Sequence, residues 1–418
     1  MHLFNEIDYS LYCEEVPVSK IAQETGTPFY LYSYRSLVNR FKAYHHAFRD
    51  IPHLIAYAVK ASSNIAILRA FSKLGAGADI VSGGELFRAL KAGIPPDRIV
   101  FAGVGKVRGE MASALRAGIL MFNVESVEEM RLLNDVAKSE GKTAPVAIRV
   151  NPHIHPATHP YISTGMKQSK FGIDIDQALP GYLEAKSLSH LKVAGVHLHI
   201  GSQLTDVAPY AEALVKIAEF IRELRSRGIE IPMLDIGGGL GISYDGVTSL
   251  EPSQLADALL PILKPLDCKI VLEPGRSLIG PAGALITRVL YTKNAAEKSF
   301  LVVDAGMSEL IRPSLYQAYH RIRPVFRSNR PHRKVDVVGP VCETGDYFAR
   351  DREIEEMKPG ELLAILDAGA YGFSMSSHYN SRPSVPEILV RDSAYYVIRD
   401  REEFEDLIRG EKIPPFLA

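Results

Sequence analysis

From Leu54 onward, the chain alternates short apolar, β-branched runs with longer segments whose apolar residues recur at helical spacing. This alternation is typical of β/α units that build a parallel sheet. The predicted strands are residues 54–59, 77–82, 98–103, 119–125, 144–152, 191–201, 233–239 and 269–275. Eight such units within about 230 residues favour a TIM-type (β/α)8 barrel over an open doubly wound sheet.

The pattern changes after Gly283. Short apolar runs are now separated by Pro, Gly or charged turns, with little helical periodicity between them, which indicates a mainly antiparallel β domain. The stretch up to Tyr34 precedes the barrel and can add a strand or two to that domain. We therefore predict an α/β fold with two domains, a barrel over 36–281 and a β domain over 1–35 and 282–418.

Charge and cysteine content restrict the possible partners. The chain has 48 Lys and Arg residues against 49 Asp and Glu residues, which gives no general attraction to nucleic acid or to an anionic membrane. No apolar run reaches the roughly 18 residues that a membrane helix needs. Cys13, Cys268 and Cys342 lie far apart without a CxxC motif, which argues against a disulfide framework and against a thiolate zinc site. We expect a cytoplasmic protein that binds neither nucleic acid nor membranes.

The C-terminal ends of the predicted strands carry the residues from which such a barrel builds its active site. These ends hold Lys60, Asp79, His197, His199, Ser202, Gly237, Gly238, Gly239, Glu273 and Arg276. A lysine at this place either extends into solvent or, when partly desolvated, becomes a nucleophile. A triple glycine forms either a tight turn or a row of backbone N–H groups that can bind a phosphate. Each of these groups has an ordinary structural explanation, so only their combination can indicate the type of reaction.

Two histidines suggest a metal site. His197 and His199 are predicted to point to the same side of the sixth strand, because strand side chains alternate with a period of two. With a third ligand from Asp235 or from the histidine-rich segment 152–170, they would form the metal site of a hydrolase. The neighbouring strand ends carry a lysine and a glycine loop instead of the carboxylates usual in such barrels, so we predict that the site holds no metal.

The segment 152–170 has two interpretations. It is rich in His, Pro and Ser and contains the three histidines at 153, 155 and 159. A segment of this length and composition is either a functional loop over the barrel mouth or an insertion.

A strand-end lysine, a phosphate-binding glycine loop, an imidazole and one carboxylate are together the groups needed to hold pyridoxal phosphate. In these residues the chain resembles the barrel-fold (fold type III) pyridoxal-phosphate decarboxylases, and within them the diaminopimelate decarboxylases. The resemblance covers nearly the whole chain, in the motifs YAVKASSN, GADIVSGGEL, KFG, HLHIGSQ, DIGGGLG, EPGR, IRPSLYQAYH, CETGD and DAGAYG, which occur in the expected order. KASSN and CETGD stand where the family more often has KANSN and CESGD, and these replacements keep size and polarity.

The resemblance implies a role for each matched cofactor residue. Lys60 would form the Schiff base and His199 would stack on the ring. Glu273 would face the pyridinium nitrogen and keep it protonated. Gly237 to Gly239 would bind the phosphate with Ser202 and Tyr371. The cofactor-binding set is then Lys60, Asp79, His199, Ser202, Gly237, Gly238, Gly239, Glu273, Pro274, Gly275, Arg276 and Tyr371.

The resemblance also implies a homodimer with shared active sites, because the family delivers the CETGD segment into the neighbouring chain's site. Cys342 would be the second catalytic residue and return a proton to the substrate carbon. The implied substrate-binding residues are Arg276, Arg312, Tyr316, Glu343 and Tyr371. Arginines suit a distal carboxylate and Glu343 suits a distal ammonium.

The implied reaction is decarboxylation of meso-2,6-diaminopimelate to L-lysine, the last step of lysine biosynthesis. Two further alternatives use the same cofactor. One is the same chemistry on another basic amino acid or on a carboxylated polyamine, and the other is a non-catalytic pyridoxal-phosphate carrier.

Overall fold

The computed structural model describes residues 4–154, 170–245, 249–295 and 298–417. Residues 155–169, which form most of the segment 152–170 and include the histidines at 155 and 159, lie outside the described residues. The chain divides into two compact units, one formed by Leu37–Leu278 and the other by the segments that end at Ser36 and begin at Ile279. We call them the barrel unit and the β unit.

The barrel unit contains eight parallel strands that close into a ring. The eighth strand pairs with the first, with Ile270 beside His53, and the fourth pairs with the fifth, with Phe122 beside Val146. The strands in chain order are His53–Ala58, Gly77–Ile80, Ile99–Phe101, Met121–Val124, Ala144–Asn151, Leu191–His197, Met233–Asp235 and Lys269–Leu272. A two-residue strand, Ile173–Asp174, adds to the fifth strand. The predicted parallel barrel is confirmed.

Helices connect the barrel strands, as the periodicity predicts. They are Tyr34–Ala47, Ile65–Lys73, Gly83–Lys91, Arg108–Ala117, Val127–Ser139, Ile175–Ser187, Ala208–Ser226, Pro252–Leu263 and Arg276–Ile279. Several of them begin with a side-chain cap a few residues after a strand. The Asn64 side chain accepts from the Ala66 N–H, and the Ser82 and Ser126 hydroxyls accept from backbone N–H groups three residues ahead. Such caps satisfy the first N–H groups of a helix and keep the strand-to-helix loops at the barrel mouth short.

Side chains from alternate strand positions fill the barrel interior. The buried cluster consists of Leu54, Ala56, Val100, Met121, Ala147, Ala194 and Val271. Small and branched residues share this space because strands tilted in a ring present inward residues in layers. The barrel is thus a packed core, and chemistry is restricted to its ends.

The predicted sixth and seventh strands extend furthest beyond the observed ones. The sixth strand ends at His197 instead of residue 201, and the seventh ends at Asp235 instead of residue 239. Leu198 and Ile200 are buried beyond the end of the sixth strand. The apolar pattern therefore continues past the strand, and for this reason the predicted strand is too long. After Asp235 the chain leaves the extended conformation, with Gly237 at φ +67°.

The β unit is built mainly from antiparallel strands, as predicted. Its strands are Phe4–Ile7, Ser10–Cys13, Val16–Pro17, Phe29–Ser33, Gly283–Asn294, Ser299–Val303, Ile322–Pro324, His332–Val338, Tyr347–Glu355, Leu362–Ile365, Glu387–Arg391 and Ala394–Arg399. Its α-helices are Val18–Thr25, Arg312–Tyr316 and Phe404–Leu407. The fully buried strand Phe29–Ser33 lies between Gly283–Asn294 and Glu387–Arg391, so the N-terminal stretch contributes a central strand.

The three cysteines are free thiols, buried at Cys13 and Cys268 and exposed at Cys342. Among the helices of the described ranges, none combines the length and the apolar character needed to cross a membrane.

Candidate active site

Lys60 lies at the barrel mouth, paired with a buried carboxylate. A single 3₁₀ turn, Val59–Ala61, directly follows the first strand and carries this lysine. Its Nζ donates to Oδ2 of Asp79 at 2.9 Å, and its side chain is 39% exposed while that of Asp79 is fully buried. Burial, together with the nearby Glu273, raises the pKa of Asp79 to about 7 although Lys60 opposes the rise. The acid thus orients an amine that remains accessible from the mouth.

Glu273 belongs to a second buried cluster, formed by the ends of four strands. The Asn123 side-chain amide donates to Asp235 Oδ2 at 2.9 Å and to Glu273 Oε1 at 3.4 Å. His197 Nε2 lies 3.6 Å from Glu273 Oε2. All four side chains are buried.

The pKa values of the two carboxylates in this cluster shift in opposite directions. Burial, reinforced by the adjacent Glu273, raises the pKa of Asp235 well above its usual range. Burial alone would also raise the pKa of Glu273, but the His197 imidazole and Lys60 lower this pKa below its usual range. Two carboxylates this close titrate as a pair, and the opposite shifts favour the proton on Asp235 and the negative charge on Glu273. Glu273 is therefore an anion that can face a cationic ring nitrogen.

His199 follows the sixth strand and contacts the glycine loop. Its Nδ1 accepts from the Gly238 N–H at 3.2 Å, so the second ring nitrogen carries the proton of the neutral imidazole. Burial is the main cause that lowers the pKa of His199 well below its usual range, and the positive charge of the nearby Arg149 lowers it too. Arg149 also donates to the His199 carbonyl oxygen at 3.3 Å. The ring is thus a neutral, fixed flat surface at the mouth.

The predicted common strand face of His197 and His199 is wrong, because the strand ends at His197. Within the described residues, two groups have ligand atoms close enough to one another to hold a metal ion. One group is His197, Asp235 and Glu273 and the other is His153, Asp174 and Asp176. Neither includes His199, so the histidine pair of the alternative metal hydrolase is not found among the ligand groups of the described residues.

The glycine loop is shaped by close backbone packing. A Cβ at Gly238 would lie 2.2 Å from the Glu273 carbonyl oxygen, and one at Gly237 would lie 2.7 Å from His199 Nδ1. The Gly237 N–H donates to Asp235 Oδ1 at 3.0 Å, and the Gly238 N–H is bonded to His199. Two of the three N–H groups predicted to bind a phosphate are therefore engaged within the protein. The first function of these glycines is to let the chain pass between His199 and Glu273.

Ser202 and Arg276 meet beside this loop. Arg276 Nη2 lies 3.2 Å from the Ser202 hydroxyl and Nη1 lies 2.7 Å from the Tyr244 hydroxyl. A guanidinium and a hydroxyl placed side by side can together bind an anion such as a phosphate. The preceding Pro274 and Gly275 pack against the Lys60 turn, since Pro274 O accepts from the Ala58 N–H at 3.2 Å.

The other predicted residues lie in the β unit. Arg312 and Tyr316 belong to the helix Arg312–Tyr316, and Arg312 is buried. Cys342 and Glu343 are exposed, and the Cys342 N–H donates to Asn380 Oδ1 at 2.9 Å. Tyr371 is half-buried, with a left-handed backbone at φ 56°.

Three residues of the barrel site were missed by the sequence prediction. Asn123 and Arg149 lie at the C-terminal ends of the fourth and fifth strands, so the strand-end rule could have found them. No signal in the sequence points to Tyr244, which lies in the loop after the triple glycine.

The barrel-mouth residues fit pyridoxal phosphate. They offer an accessible amine at Lys60, an anionic carboxylate at Glu273, a neutral flat ring at His199 and an anion-binding pair at Arg276 and Ser202. These match the aldehyde, the pyridinium nitrogen, the ring face and the phosphate of that cofactor. Among the described residues, Asp79 Oδ1 is buried without a hydrogen-bond partner, which is consistent with a polar ligand group at this place.

Comparison with known proteins gives an independent result. Residues 34–280 match the family model described as "Pyridoxal-dependent decarboxylase, pyridoxal binding domain". The chain is 52% identical to the diaminopimelate decarboxylase of Aquifex aeolicus over 402 residues, which are 96% of this chain and 95% of that protein.

Solved structures of the same enzyme have the same fold. The diaminopimelate decarboxylase of Helicobacter pylori, complexed with L-lysine, is 46% identical with a TM-score of 0.91, covering 94% of this chain and 98% of that one. The enzyme of M. jannaschii, also with L-lysine, is 38% identical with a TM-score of 0.95, and all of both chains is covered. The chain therefore belongs to the pyridoxal-dependent decarboxylases, and within them to the diaminopimelate decarboxylase family.

Proposed function

We propose that this chain catalyses the pyridoxal-phosphate-dependent decarboxylation of meso-2,6-diaminopimelate to L-lysine and carbon dioxide. The observation that carries the proposal is the arrangement at the barrel mouth. It combines the accessible Lys60 amine, held by Asp79 at 2.9 Å, with a buried anionic Glu273. This arrangement occurs in a chain that belongs to the family performing that reaction.

The cofactor is held by residues at the barrel mouth. Lys60 would supply the amine for covalent attachment, and His199 would lie against the ring face. Ser202 and Arg276, with Gly239, would bind the phosphate, and we assign Tyr371 to assist them. When bound, pyridoxal phosphate accepts the electron pair that departing carbon dioxide leaves on the substrate carbon.

The buried cluster of Asn123, His197, Asp235 and Glu273 has a role in the protonation of the cofactor ring. Through its negative charge, Glu273 would keep a proton on the pyridine nitrogen of the bound cofactor, which would make the ring a strong electron acceptor. The negative charge is favoured on Glu273 because His197 and Lys60 lower its pKa, while burial and the adjacent Glu273 raise the pKa of Asp235. The Asn123 amide donates to both carboxylates and connects them.

The β unit supplies the groups that select the substrate. We assign a distal carboxylate to Arg312, assisted by Arg276 and Tyr316, and a distal ammonium to Glu343. Cys342 of the partner subunit returns a proton to the substrate carbon in a homodimer with shared sites. Three free thiols fit a reducing compartment, so we place the enzyme in the cytoplasm.

The test is carbon dioxide release by purified, pyridoxal-phosphate-loaded protein. The substrates are meso-2,6-diaminopimelate, L-lysine, L-ornithine, L-arginine and a carboxylated polyamine, with the Lys60→Arg variant as the control. We expect release with diaminopimelate in amounts equal to the L-lysine formed. Faster release from another substrate would replace the substrate assignment, and cofactor binding without release from any of them would indicate a carrier.

A further inference from the structure

The candidate substrate arginine of the β unit contacts a buried histidine. Arg312 Nη1 lies 2.9 Å from His320 Nε2, and His320 Nδ1 lies 2.9 Å from the Leu366 carbonyl oxygen. Arg312 is 5% exposed and His320 is fully buried. The backbone of the histidine is also held, because Arg352 Nη1 donates to the His320 carbonyl oxygen at 2.9 Å.

The two ring contacts determine the tautomer of His320. A carbonyl oxygen only accepts hydrogen bonds, so Nδ1 must carry a proton toward Leu366. A guanidinium only donates, so Nε2 must present its lone pair to Arg312. His320 is therefore a neutral imidazole with its proton on Nδ1, and a second proton on Nε2 would point at the Arg312 N–H group.

A neutral acceptor suits an arginine that has to bind an anion. A carboxylate in the place of His320 would pair with the guanidinium and weaken its attraction for a ligand carboxylate. The imidazole orients Nη1 without cancelling the positive charge. The rigid ring, anchored at Leu366, thus sets the direction of the Arg312 fork.

We propose that His320 is a positioning residue for substrate selection: it holds the Arg312 guanidinium where the distal carboxylate binds. His320 thereby sets the preference for ligands that carry this carboxylate. The inference rests on the proposed function, in which Arg312 binds that group.

Two substitutions separate the contacts of His320. His320→Asn places an amide near the position of Nδ1, so it keeps a donor for the Leu366 carbonyl but cannot reach Arg312. His320→Gln places its amide near the position of Nε2 and keeps an acceptor for Arg312. The two variants are matched in size and polarity and differ in the contact that the proposal concerns.

The measurement is competitive inhibition of the loaded enzyme by L-lysine and by cadaverine, which differ by one carboxylate. The preference is the ratio of the two inhibition constants. We expect His320→Asn to reduce the wild-type preference for L-lysine about tenfold, the scale of a hydrogen bond to a charged group. We expect cadaverine inhibition to change little and His320→Gln to keep most of the preference. The KM for diaminopimelate should rise in His320→Asn more than kcat falls.

The outcomes distinguish the two proposals. If wild-type enzyme shows no preference for L-lysine over cadaverine, the carboxylate assignment of Arg312 fails, and with it the basis of this inference. If wild type prefers L-lysine and His320→Asn keeps that preference, or weakens both inhibitors equally, the positioning role is wrong while the proposed function stands.

A measurement on the unaltered enzyme covers the case in which His320→Asn does not fold. Histidine-selective ¹⁵N labelling of the wild-type enzyme, with the signal assigned by its loss in His320→Gln, reports the protonation of each ring nitrogen. We expect a neutral ring protonated at Nδ1. An imidazolium, or a ring protonated at Nε2, would overturn the proposal.

Discussion

At the residue scale, three buried carboxylates at the barrel mouth differ in charge because their neighbours differ. Asp79 faces the Lys60 ammonium, Asp235 faces another carboxylate, and Glu273 faces the His197 ring. The pKa of Asp79 rises to about 7, that of Asp235 rises well above its usual range, and that of Glu273 falls. The chemistry assigned to each acid therefore follows from its contacts rather than from its type.

Replacement of Lys60 tests the covalent attachment. We expect Lys60→Ala and Lys60→Arg to lose nearly all turnover and the borohydride-reducible linkage to the cofactor. The fold should persist, because the side chain is 39% exposed and Asp79 can take up a proton when the ammonium is lost. Lys60→Arg, which keeps the charge beside Asp79, is the control for electrostatic effects. A borohydride-reducible linkage in either variant would show that another lysine attaches the cofactor.

A second pair of substitutions tests which acid carries the charge. Glu273→Gln removes an anion, so we expect kcat to fall roughly 100-fold, the scale of a lost electrostatic contact in an active site. Asp235→Asn replaces a proton-bearing acid by a neutral amide, so we expect a loss of about tenfold or less. Cofactor retention, followed by absorbance after gel filtration, should be similar in both variants. An equal or larger loss in Asp235→Asn would reverse the assignment of the charge.

At the scale of elements, the site is formed where short loops leave adjacent strands. The sixth, seventh and eighth strands end at His197, Asp235 and Leu272, and the loops after them contact one another. Glu273 N–H donates to Gly237 O at 2.8 Å, which connects the last two of these loops. The glycine loop thus positions His199 and Glu273 through its own backbone.

An alanine at Gly238 should disturb this connection. Its Cβ would lie 2.2 Å from the Glu273 carbonyl oxygen, so the loop has to shift. We expect a loss of stability of about 1–3 kcal/mol, typical of overpacking, and weaker cofactor binding. Gly105→Ala is the matched control, because a Cβ there meets no atom within 4 Å. Thermal melting and cofactor titration check both variants, and equal behaviour of the two would contradict the packing argument.

At the scale of the whole molecule, the proposed catalytic residues are divided between the two units. Lys60 belongs to the barrel unit, and Cys342 and Glu343 belong to the β unit. Cys342 is an exposed thiol, so it is accessible to a ligand and its replacement should not damage the fold. These features suit the proposed shared site, in which one chain supplies the lysine and its partner supplies the thiol.

Mixing two inactive variants tests the shared site. Lys60→Ala and Cys342→Ala chains should each be inactive, while a mixed dimer has one site with both wild-type residues. Random exchange makes half of the dimers mixed, so we expect about a quarter of wild-type activity if the sites are independent. Each variant incubated alone is the control. A mixture that stays inactive after demonstrated subunit exchange would show that Cys342 acts within its own chain or not at all.

Local pattern determined the architecture of this protein. Alternation of apolar runs placed all eight barrel strands within a few residues of their positions, because strand and helix periods are set by neighbouring residues. It also placed Lys60, Asp79 and Glu273 at strand ends, where a barrel has its active site. The change in pattern after Gly283 identified the β domain, and motif resemblance supplied the cofactor.

The tertiary structure alone decided the ends of the strands, the contacts of the glycine loop and the charge of each acid. Leu198 and Ile200 are buried without belonging to a strand, so hydrophobicity could not show where the sixth strand ends. The opposite pKa shifts of Asp235 and Glu273 depend on burial and on His197 and Lys60, which are distant in sequence. Periodicity is a property of neighbours along the chain, whereas desolvation and electrostatic interactions depend on neighbours in space, which exist only once the barrel has closed.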